Sequence, residues 1–314
     1  MTTVIEDLPP TAATVAGQGK ATPSLRHIAQ GAVAMSTLGA STAVSAHLTR
    51  YPVLGGQALR YLLAATVLFA ILRHRNRRQP AMPQHRPTVR DWLLIAALAV
   101  TGLILFNVFV LASLRHTDAA TLGSVVACSP LLLAIAGPYF TRTKRSVRLR
   151  TALCASGVVA AGSAVVQGFG HGTSTGVLFA CAVLFCEVLF SLLAVPLLPR
   201  LGEFRVSAYV TAMAVPILIV AGLATEGTAF LRLPSATEAA ALAYLALPLT
   251  VGAFVLWYRA LSGLGPQRAG LLIGFVPITA CASSAVLGVG VPGPAQIAGV
   301  LIVVLGIVGG LVFG

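Results

Sequence analysis

Residues 91–114 read DWLLIAALAVTGLILFNVFVLASL, and this stretch carries one charged residue, Asp91, at its first position. An α-helix needs about 20 predominantly apolar residues to cross a hydrocarbon layer about 30 Å thick. Residues 91–114 exceed that length with apolar side chains throughout most of their course. The stretch is therefore predicted to be a membrane-spanning helix.

Apolar runs of similar length recur along the rest of the chain. Ten fit, at residues 28–48, 52–72, 91–114, 118–140, 151–169, 173–197, 205–225, 239–260, 268–289 and 294–313. The segment 1–27 lacks an apolar core and is predicted to be a disordered cytoplasmic tail. The predicted fold class is an all-α integral membrane protein with ten transmembrane helices.

Composition excludes a soluble protein. Charged residues make up 9% of the chain, whereas a soluble domain carries about 25%. Hydrophobic residues make up 57%, and the mean hydropathy is +0.91. The net charge of +13 does not indicate a nucleic-acid partner, because the basic residues fall in short clusters between apolar runs. The five cysteines all lie within apolar runs without metal-ligand spacing, so no metal, cofactor or disulfide is expected.

The basic clusters also predict the orientation. With a cytoplasmic amino terminus and ten spans, 17 of the 21 basic residues lie on the inner side and three on the outer side, while Arg60 lies within a span. Cytoplasmic loops of membrane proteins are enriched in Lys and Arg. A multi-pass protein of the cytoplasmic membrane with both termini cytoplasmic is therefore predicted. The run Arg73–Arg90 also suits binding of acidic lipid or a partner, although its role in orientation needs no such function.

A weak internal repeat divides the chain. A shift of 147 residues aligns three pairs, Leu114 with Leu261, Gly123 with Gly270 and Pro130 with Pro277. The predicted units are residues 28–169 and 173–313, each with five spans. Because five is odd, the second unit enters the membrane upside down relative to the first. Inverted repeats are typical of transporters in which a central site faces each side of the membrane in turn.

Several short segments resemble the EamA family of the drug/metabolite transporter superfamily. They are Ala58–Ala65 (ALRYLLAA), Ala112–Ala119 (ASLRHTDA) with Pro130, Trp257–Pro266 (WYRALSGLGP) with Pro277, and Gln296–Gly299 (QIAG) leading to Gly306. The resemblance implies a ten-helix secondary transporter that exports amino acids, other metabolites or drugs. Family members commonly carry a Glu at the end of each repeat's fourth helix, and the matching positions here are Thr141 and Gly290.

Two ionisable residues fall well inside predicted spans, Arg60 and Glu187. Arg60 lies thirteen residues from Arg73, and Glu187 thirteen from Arg200, at the inner ends of their helices. Thirteen helical residues rise about 20 Å, so both side chains are predicted at similar depth near the midplane. A charge there costs on the order of 3 kcal/mol, and each therefore needs a partner, a cavity or a function.

Three hypotheses for Glu187 remain open. It forms a buried salt bridge with Arg60, or it is protonated and hydrogen-bonded to Ser191, or it couples transport by binding a proton and a cationic group in turn. Burial favours the neutral form of a carboxylate, which suits the last two. The Glu187-Val188 pair followed by Ser191 resembles the membrane Glu-Val-x-x-Thr of small multidrug resistance proteins, a resemblance that implies proton exchange.

Small hydroxylated stripes mark further candidate cavity residues, although such stripes also serve close helix packing. The first span carries Thr37, Ser41 and Ser45, and the fourth carries Thr121, Ser124 and Cys128. Asn107 is polar at membrane depth and is expected to face protein. Tyr61, beside Arg60, is a candidate for stacking on a substrate.

The function predicted from these features is secondary active transport of small metabolites, amino acids or drugs, with protons as a candidate coupling ion. A passive facilitator or channel is the alternative, because an inverted repeat does not by itself require coupling. An enzyme is excluded because the sequence lacks a cluster of acids, histidines or metal ligands at one depth. Whether the chain acts as a homodimer stays open.

Overall fold

The computed structural model describes residues 24–78, 86–140, 149–168, 173–286 and 293–313. The described residues form α-helices with short 3-10 and π segments and contain no β-strand. Of the predicted tail, residues 1–27, the first 23 lie outside the described residues. The first helix begins at Leu25, three residues before the predicted start of the first span at residue 28. Positions 141 and 290, where the family commonly has Glu, also lie outside the described residues.

Thirteen α-helices run through the described residues. They are α1 (Leu25–Ser45), α2 (Val53–Arg78), α3 (Val89–Ala99), α4 (Phe106–Leu114), α5 (Ala119–Val126), α6 (Ser129–Phe140), α7 (Leu149–Gln167), α8 (Ser174–Leu192), α9 (Leu198–Glu226), α10 (Ala236–Tyr244), α11 (Phe254–Leu271), α12 (Phe275–Val286) and α13 (Pro294–Phe313).

Seven helical stretches among the described residues are long and apolar enough to cross a membrane. One of them, Ala236–Val286, is 51 residues long and contains Gly265, whose φ of 77° interrupts the helix. Only glycine adopts that backbone conformation at little cost. Side chains such as Val220 and Leu305, each 70% exposed, cover the outer surface with apolar groups. These features describe an all-helical, multi-pass membrane protein.

The helices α3 and α10 begin with the same capping device. In α3 the Thr88 hydroxyl accepts from the Asp91 amide, and the Asp91 carboxylate accepts from the Thr88 amide at 2.8 Å. In α10 Ser235 and Glu238 make the reciprocal pair, 147 residues later in the chain. Such a box satisfies two backbone donors that a helix start otherwise leaves unpaired.

Each of these helices then passes through a π segment. Residues Val100–Leu105 form the segment between α3 and α4, and Leu245–Ala253 the one between α10 and α11. A π segment adds a residue to the helical turn and is frequent at functional sites. The two π segments also overlap under the shift of 147 residues that relates the sequence motifs.

Small residues allow the closest helix contacts. The helices α7 and α13 pack along each other, and a Cβ added at Gly162 would lie 2.7 Å from the Val303 nitrogen. Glycine at such contacts lets two membrane helices approach at backbone distance. The helices α2 and α9 form a second close pair, and α1 packs on α11 and α12. The core runs between these pairs and contains the buried rings of Tyr61 and Tyr258.

Candidate functional site

A cavity of about 510 Å³ lies between segments contributed by both halves of the chain. The first half provides α1, α4, α5, α6 and α7, and the second provides α8, α12 and α13. Its wall residues are Thr42, Phe106, Val110, Ala119, Leu122, Gly123, Val126, Ala127, Pro130, Ser163, Val166, Gln167, Val183, Glu187, Ile273, Val276, Pro277, Ala280, Cys281, Ser284 and Gln296. The size lies within the range of small-molecule sites in proteins.

The cavity wall is mainly apolar, with a few separated polar groups. The polar side chains are Thr42, Ser163, Gln167, Glu187, Cys281, Ser284 and Gln296. Among the wall residues that the structure describes, Glu187 is the one that bears a carboxylate. A pocket of this kind binds the apolar body of a ligand and orients it through a small number of polar contacts.

The cavity extends toward one end of the helix bundle. Ala119 is the first residue of α5, Gln167 the last of α7, and Gln296 lies in the first turn of α13. Toward the opposite end α6 packs tightly on α11. The Gln267 amide there donates to the Ala134 carbonyl at 3.2 Å, and a Cβ added at Gly137 would lie 3.1 Å from the Pro266 ring.

Glu187 lies in the middle of α8 and is partly exposed to this cavity. Its polar neighbour is Ser129, whose Oγ lies 2.9 Å from Glu187 Oε2. Ser129 is the first residue of α6, directly after the break at 127–128 that separates α6 from α5. The break turns the Ser129 hydroxyl toward α8, where it meets the carboxyl group.

The Ser129 hydroxyl has two neighbouring acceptors but one proton. Its Oγ lies 2.6 Å from the Val126 carbonyl oxygen and 2.9 Å from Glu187 Oε2. A hydroxyl donates one hydrogen bond and accepts two. When Ser129 donates to Val126, a protonated Glu187 satisfies the remaining contact by donating to Ser129. When Glu187 is ionised, the Ser129 proton can turn to the carboxylate, so the pair accommodates both protonation states.

Arg60 lies elsewhere in the bundle. Its Nε donates to Thr250 Oγ1 at 2.8 Å and its Nη1 to Gln57 Oε1 at 3.3 Å, while its guanidinium lies 5.0 Å from the Tyr61 ring centroid. Within the described residues Arg60 and Glu187 form no ion pair. The salt-bridge hypothesis is therefore wrong for this structure, because equal depth does not bring together helices that pack on different neighbours.

Ser191 also has a partner other than Glu187. Its Oγ accepts from Trp257 Nε1 at 3.2 Å, and both residues are buried. This bond ties α8 to α11. The hypothesis of a Glu187–Ser191 hydrogen bond is corrected accordingly, since the hydroxyl that contacts Glu187 belongs to Ser129.

The remaining predicted site residues lie outside the cavity wall. Tyr61 is 2% exposed and Asn107 donates to the Leu103 carbonyl of its own helical turn. The stripe hydroxyls bond to carbonyls of α1 itself, as seen for Thr37, Ser41 and Ser45. On α1 the cavity is lined by Thr42, the next residue after Ser41.

The family model described as "EamA-like transporter family" matches residues 26–166 and again residues 174–311. The chain belongs to the EamA-like transporter family. The resemblance that the short motifs indicated is confirmed. This EamA-like chain is a membrane transporter of small molecules and not an enzyme.

Two relatives carry transporter names. The "Uncharacterized transporter YetK" of Bacillus subtilis (strain 168) is 26% identical over 262 residues, which cover 82% of this chain and 78% of YetK. An "Uncharacterized transporter" of Archaeoglobus fulgidus is 23% identical over 198 residues, covering 62% of this chain and 67% of the relative. One solved crystal structure of a protein shares the fold at a TM-score of 0.75 and 19% identity, over 90% of this chain and 96% of the other.

The sequence did not predict two cavity residues of this EamA-like transporter, Gln167 and Gln296, or the Ser129 that contacts Glu187. Gln167 and Gln296 each lie at the end of an apolar run, where a polar amide side chain is expected at any helix terminus and does not indicate a binding site. Ser129 follows Cys128 on the stripe of Thr121 and Ser124, but the helix break removes it from helical spacing. The available signal was the neighbouring Pro130, which marks the change of helix direction.

Proposed function

We propose that this EamA-like transporter is a secondary active exporter of small metabolites, amino acids or drugs, coupled to protons and working by alternating access across the cytoplasmic membrane. The observation that carries the proposal is the position of Glu187 in a cavity between the two halves of the chain. A carboxylate at membrane depth is costly unless it serves a function.

Glu187 takes the role of the coupling group. Its carboxylate binds a proton in one step and the cationic group of a substrate in the next, so the two ligands exclude each other. Ser129 supports both forms, since its hydroxyl lies within hydrogen-bond distance of Glu187 and of the Val126 carbonyl. The apolar wall, including Phe106 and Val183, suits the hydrophobic body of the same substrate.

Alternating access is supported by the unequal ends of the bundle. The cavity extends toward the end at which α4 connects to α5, and α6 packs on α11 toward the other end. In the proposed orientation, which the charge distribution supports, the first end is the outer one and this conformation is outward-facing. Reversal of the cavity's access requires α6 and α11 to separate, with Gly265 as a pivot close to their contact.

The proposed topology has ten crossings in two inverted sets of five, residues 28–169 and 173–313, with both termini in the cytoplasm. The capping boxes at Thr88 and Ser235 and the two π segments support a repeat of 147 residues. Reporter fusions after Arg150 and after Gly314 should both report a cytoplasmic location. A periplasmic signal at either position would contradict the ten-crossing topology.

The transport proposal is tested with purified protein in liposomes. Cells that produce the protein are first tested for resistance to a panel of amino acids and cationic drugs. A compound to which the protein confers resistance is then loaded at equal concentration on both sides of the liposome membrane. We expect an imposed pH step to drive net accumulation of that substrate against its own gradient. A facilitator or channel would instead give no net accumulation from equal concentrations, with or without the pH step.

A further inference from the structure

A second cavity, of about 530 Å³, opens where the basic end of α2 packs on α9. Its wall combines three arginines, Arg73, Arg77 and Arg205, with Asn76, Tyr209 and the apolar side chains of Phe69 and Leu72. It shares no residue with the cavity around Glu187, so the transport site does not account for it.

The wall is formed by two matching helix faces. On α2, Phe69, Arg73 and Arg77 follow each other at intervals of four residues, and on α9 Arg205 and Tyr209 have the same spacing. Residues four apart lie on one side of a helix. The helices α2 and α9 therefore present Arg73, Arg77 and Arg205 to a common groove.

Two of the three arginines of this groove, Arg73 and Arg77, have no acidic partner among the described residues. No carboxylate is among its described wall residues, and two like charges four residues apart on a helix repel each other. Neither Arg73 nor Arg77 forms an ion pair within the described part of the chain. The nearby Arg75 differs, because its guanidinium lies 4.5 Å from the Phe204 ring centroid.

Aromatic rings line one side of the groove. The Tyr209 ring lies 6.0 Å from that of Phe69 and 5.2 Å from that of Trp92, measured between centroids. Phe69 and Trp92 are each 41% exposed. Exposed aromatic side chains next to basic ones are typical of the level of the lipid headgroups. The groove thus has a charged part at headgroup level and an apolar part beside the acyl chains.

The geometry points to a binding site for the phosphate headgroup of an anionic phospholipid, with Arg73, Arg77 and Arg205 around the phosphate and Phe69 against the acyl chain. Guanidinium groups bind phosphate oxygens through paired, charge-assisted hydrogen bonds. A single soluble phosphate would use the arginines but not the apolar part of the groove. An anionic lipid of the surrounding leaflet uses both.

Trp92 provides the readout for a test with the full chain. The protein is reconstituted in phosphatidylcholine vesicles that contain increasing mole fractions of phosphatidylglycerol with brominated acyl chains, which quench tryptophan on contact. Trp92 is 41% exposed beside the groove, whereas the other tryptophan, Trp257, is 3% exposed. We expect the quenching by brominated phosphatidylglycerol to saturate at a low mole fraction. Brominated phosphatidylcholine should reach the same quenching only at a far higher mole fraction.

The double variant R73Q/R77Q should raise the half-saturating mole fraction about 25-fold, because each arginine facing anionic lipid contributes about fivefold. The matched control R75Q/R78Q removes two charges from the same helix and should stay within about twofold of the parent, since neither residue is among the wall residues of the groove. The variant R73K/R77K keeps both charges but not the paired hydrogen bonds, so it should recover part of the affinity that R73Q/R77Q loses.

Three results would overturn the assignment. Equal shifts in R73Q/R77Q and R75Q/R78Q would reduce it to diffuse attraction between a basic surface and acidic lipid. Displacement of the brominated lipid by inorganic phosphate, but not by chloride at the same ionic strength, would assign the groove to soluble phosphate compounds. Quenching that rises linearly without saturation would mean that no site exists.

Discussion

Glu187 and Arg60, the two ionisable residues predicted near the membrane midplane, have different surroundings in the helix bundle. Glu187 borders a cavity of about 510 Å³, and its hydrogen-bond partner within the described part of the chain is Ser129. Arg60 is held by Thr250 and Gln57 and lies beside the Tyr61 ring. Both side chains carry a cost of burial, but of the two only Glu187 lines the cavity of about 510 Å³, where a ligand can bind beside its carboxyl group.

The difference separates two ways of accommodating a charge in a membrane. Arg60 uses protein hydrogen bonds that link α2 to the π segment Leu245–Ala253, and it is not among the wall residues of the cavity around Glu187. Glu187 relies on a cavity and on a hydroxyl that serves either protonation state. We therefore expect transport to depend on Glu187, and Arg60 to contribute to helix packing.

The largest effect is expected for Glu187→Gln. Gln keeps the volume and hydrogen-bonding capacity of Glu but has no proton to exchange. Accumulation driven by a pH step in liposomes should fall to that of protein-free liposomes, while Glu187→Asp should keep part of the activity. Membrane yield serves as the control for insertion. Parental export rates in Glu187→Gln would remove Glu187 from the coupling role.

A smaller loss is expected for Ser129→Ala, which removes the polar neighbour of the carboxyl group. One hydrogen bond contributes about 1 kcal/mol, so the transport rate should fall about fivefold. Ser129→Thr retains the hydroxyl and should stay closer to the parent. The measurement is initial uptake in liposomes at several pH values. An unchanged rate and pH profile in Ser129→Ala would mean that the contact is structural.

Arg60→Met should have little effect on transport. The Thr250 hydroxyl also donates to the Leu245 carbonyl at 2.8 Å, so this substitution leaves no unsatisfied donor there. We expect the transport rate to stay within about twofold and the free energy of unfolding to fall by about 2 kcal/mol, the contribution of the two hydrogen bonds that Arg60 donates. Transport assays and thermal unfolding in detergent check both expectations. A loss as large as that of Glu187→Gln would place Arg60 in the transport site.

The smallest expected effect is the interaction free energy between Glu187 and Arg60. A double-mutant cycle with Glu187→Gln and Arg60→Met should give an interaction energy below about 0.5 kcal/mol, as is usual for residues without shared partners. The measured quantity is the free energy of unfolding of the four proteins in one detergent. A coupling of several times that size would restore the salt bridge in at least one conformation of the transporter.

The sequence predicted the helical class well and the helix ends less well. The apolar runs gave the all-α membrane fold, since a helix in lipid satisfies its own backbone hydrogen bonds. The basic end of α2 extends to Arg78, beyond the predicted end at residue 72, because helical hydrogen bonds continue past the hydrocarbon boundary. Hydropathy indicates where the contact with lipid ends, but it does not indicate where the helix ends.

For the site, the sequence by itself determined that Glu187 is a carboxylate in an apolar run and that it therefore needs a special environment. It left three environments open, because helical spacing relates residues of one helix and depth alone does not specify neighbours. The tertiary structure placed Ser129 beside Glu187 through the break between α5 and α6, and it placed Ser191 where its hydroxyl accepts a hydrogen bond from Trp257. These choices depend on how the side chains of separate helices fill the space between them, a property of packing that no single helix contains.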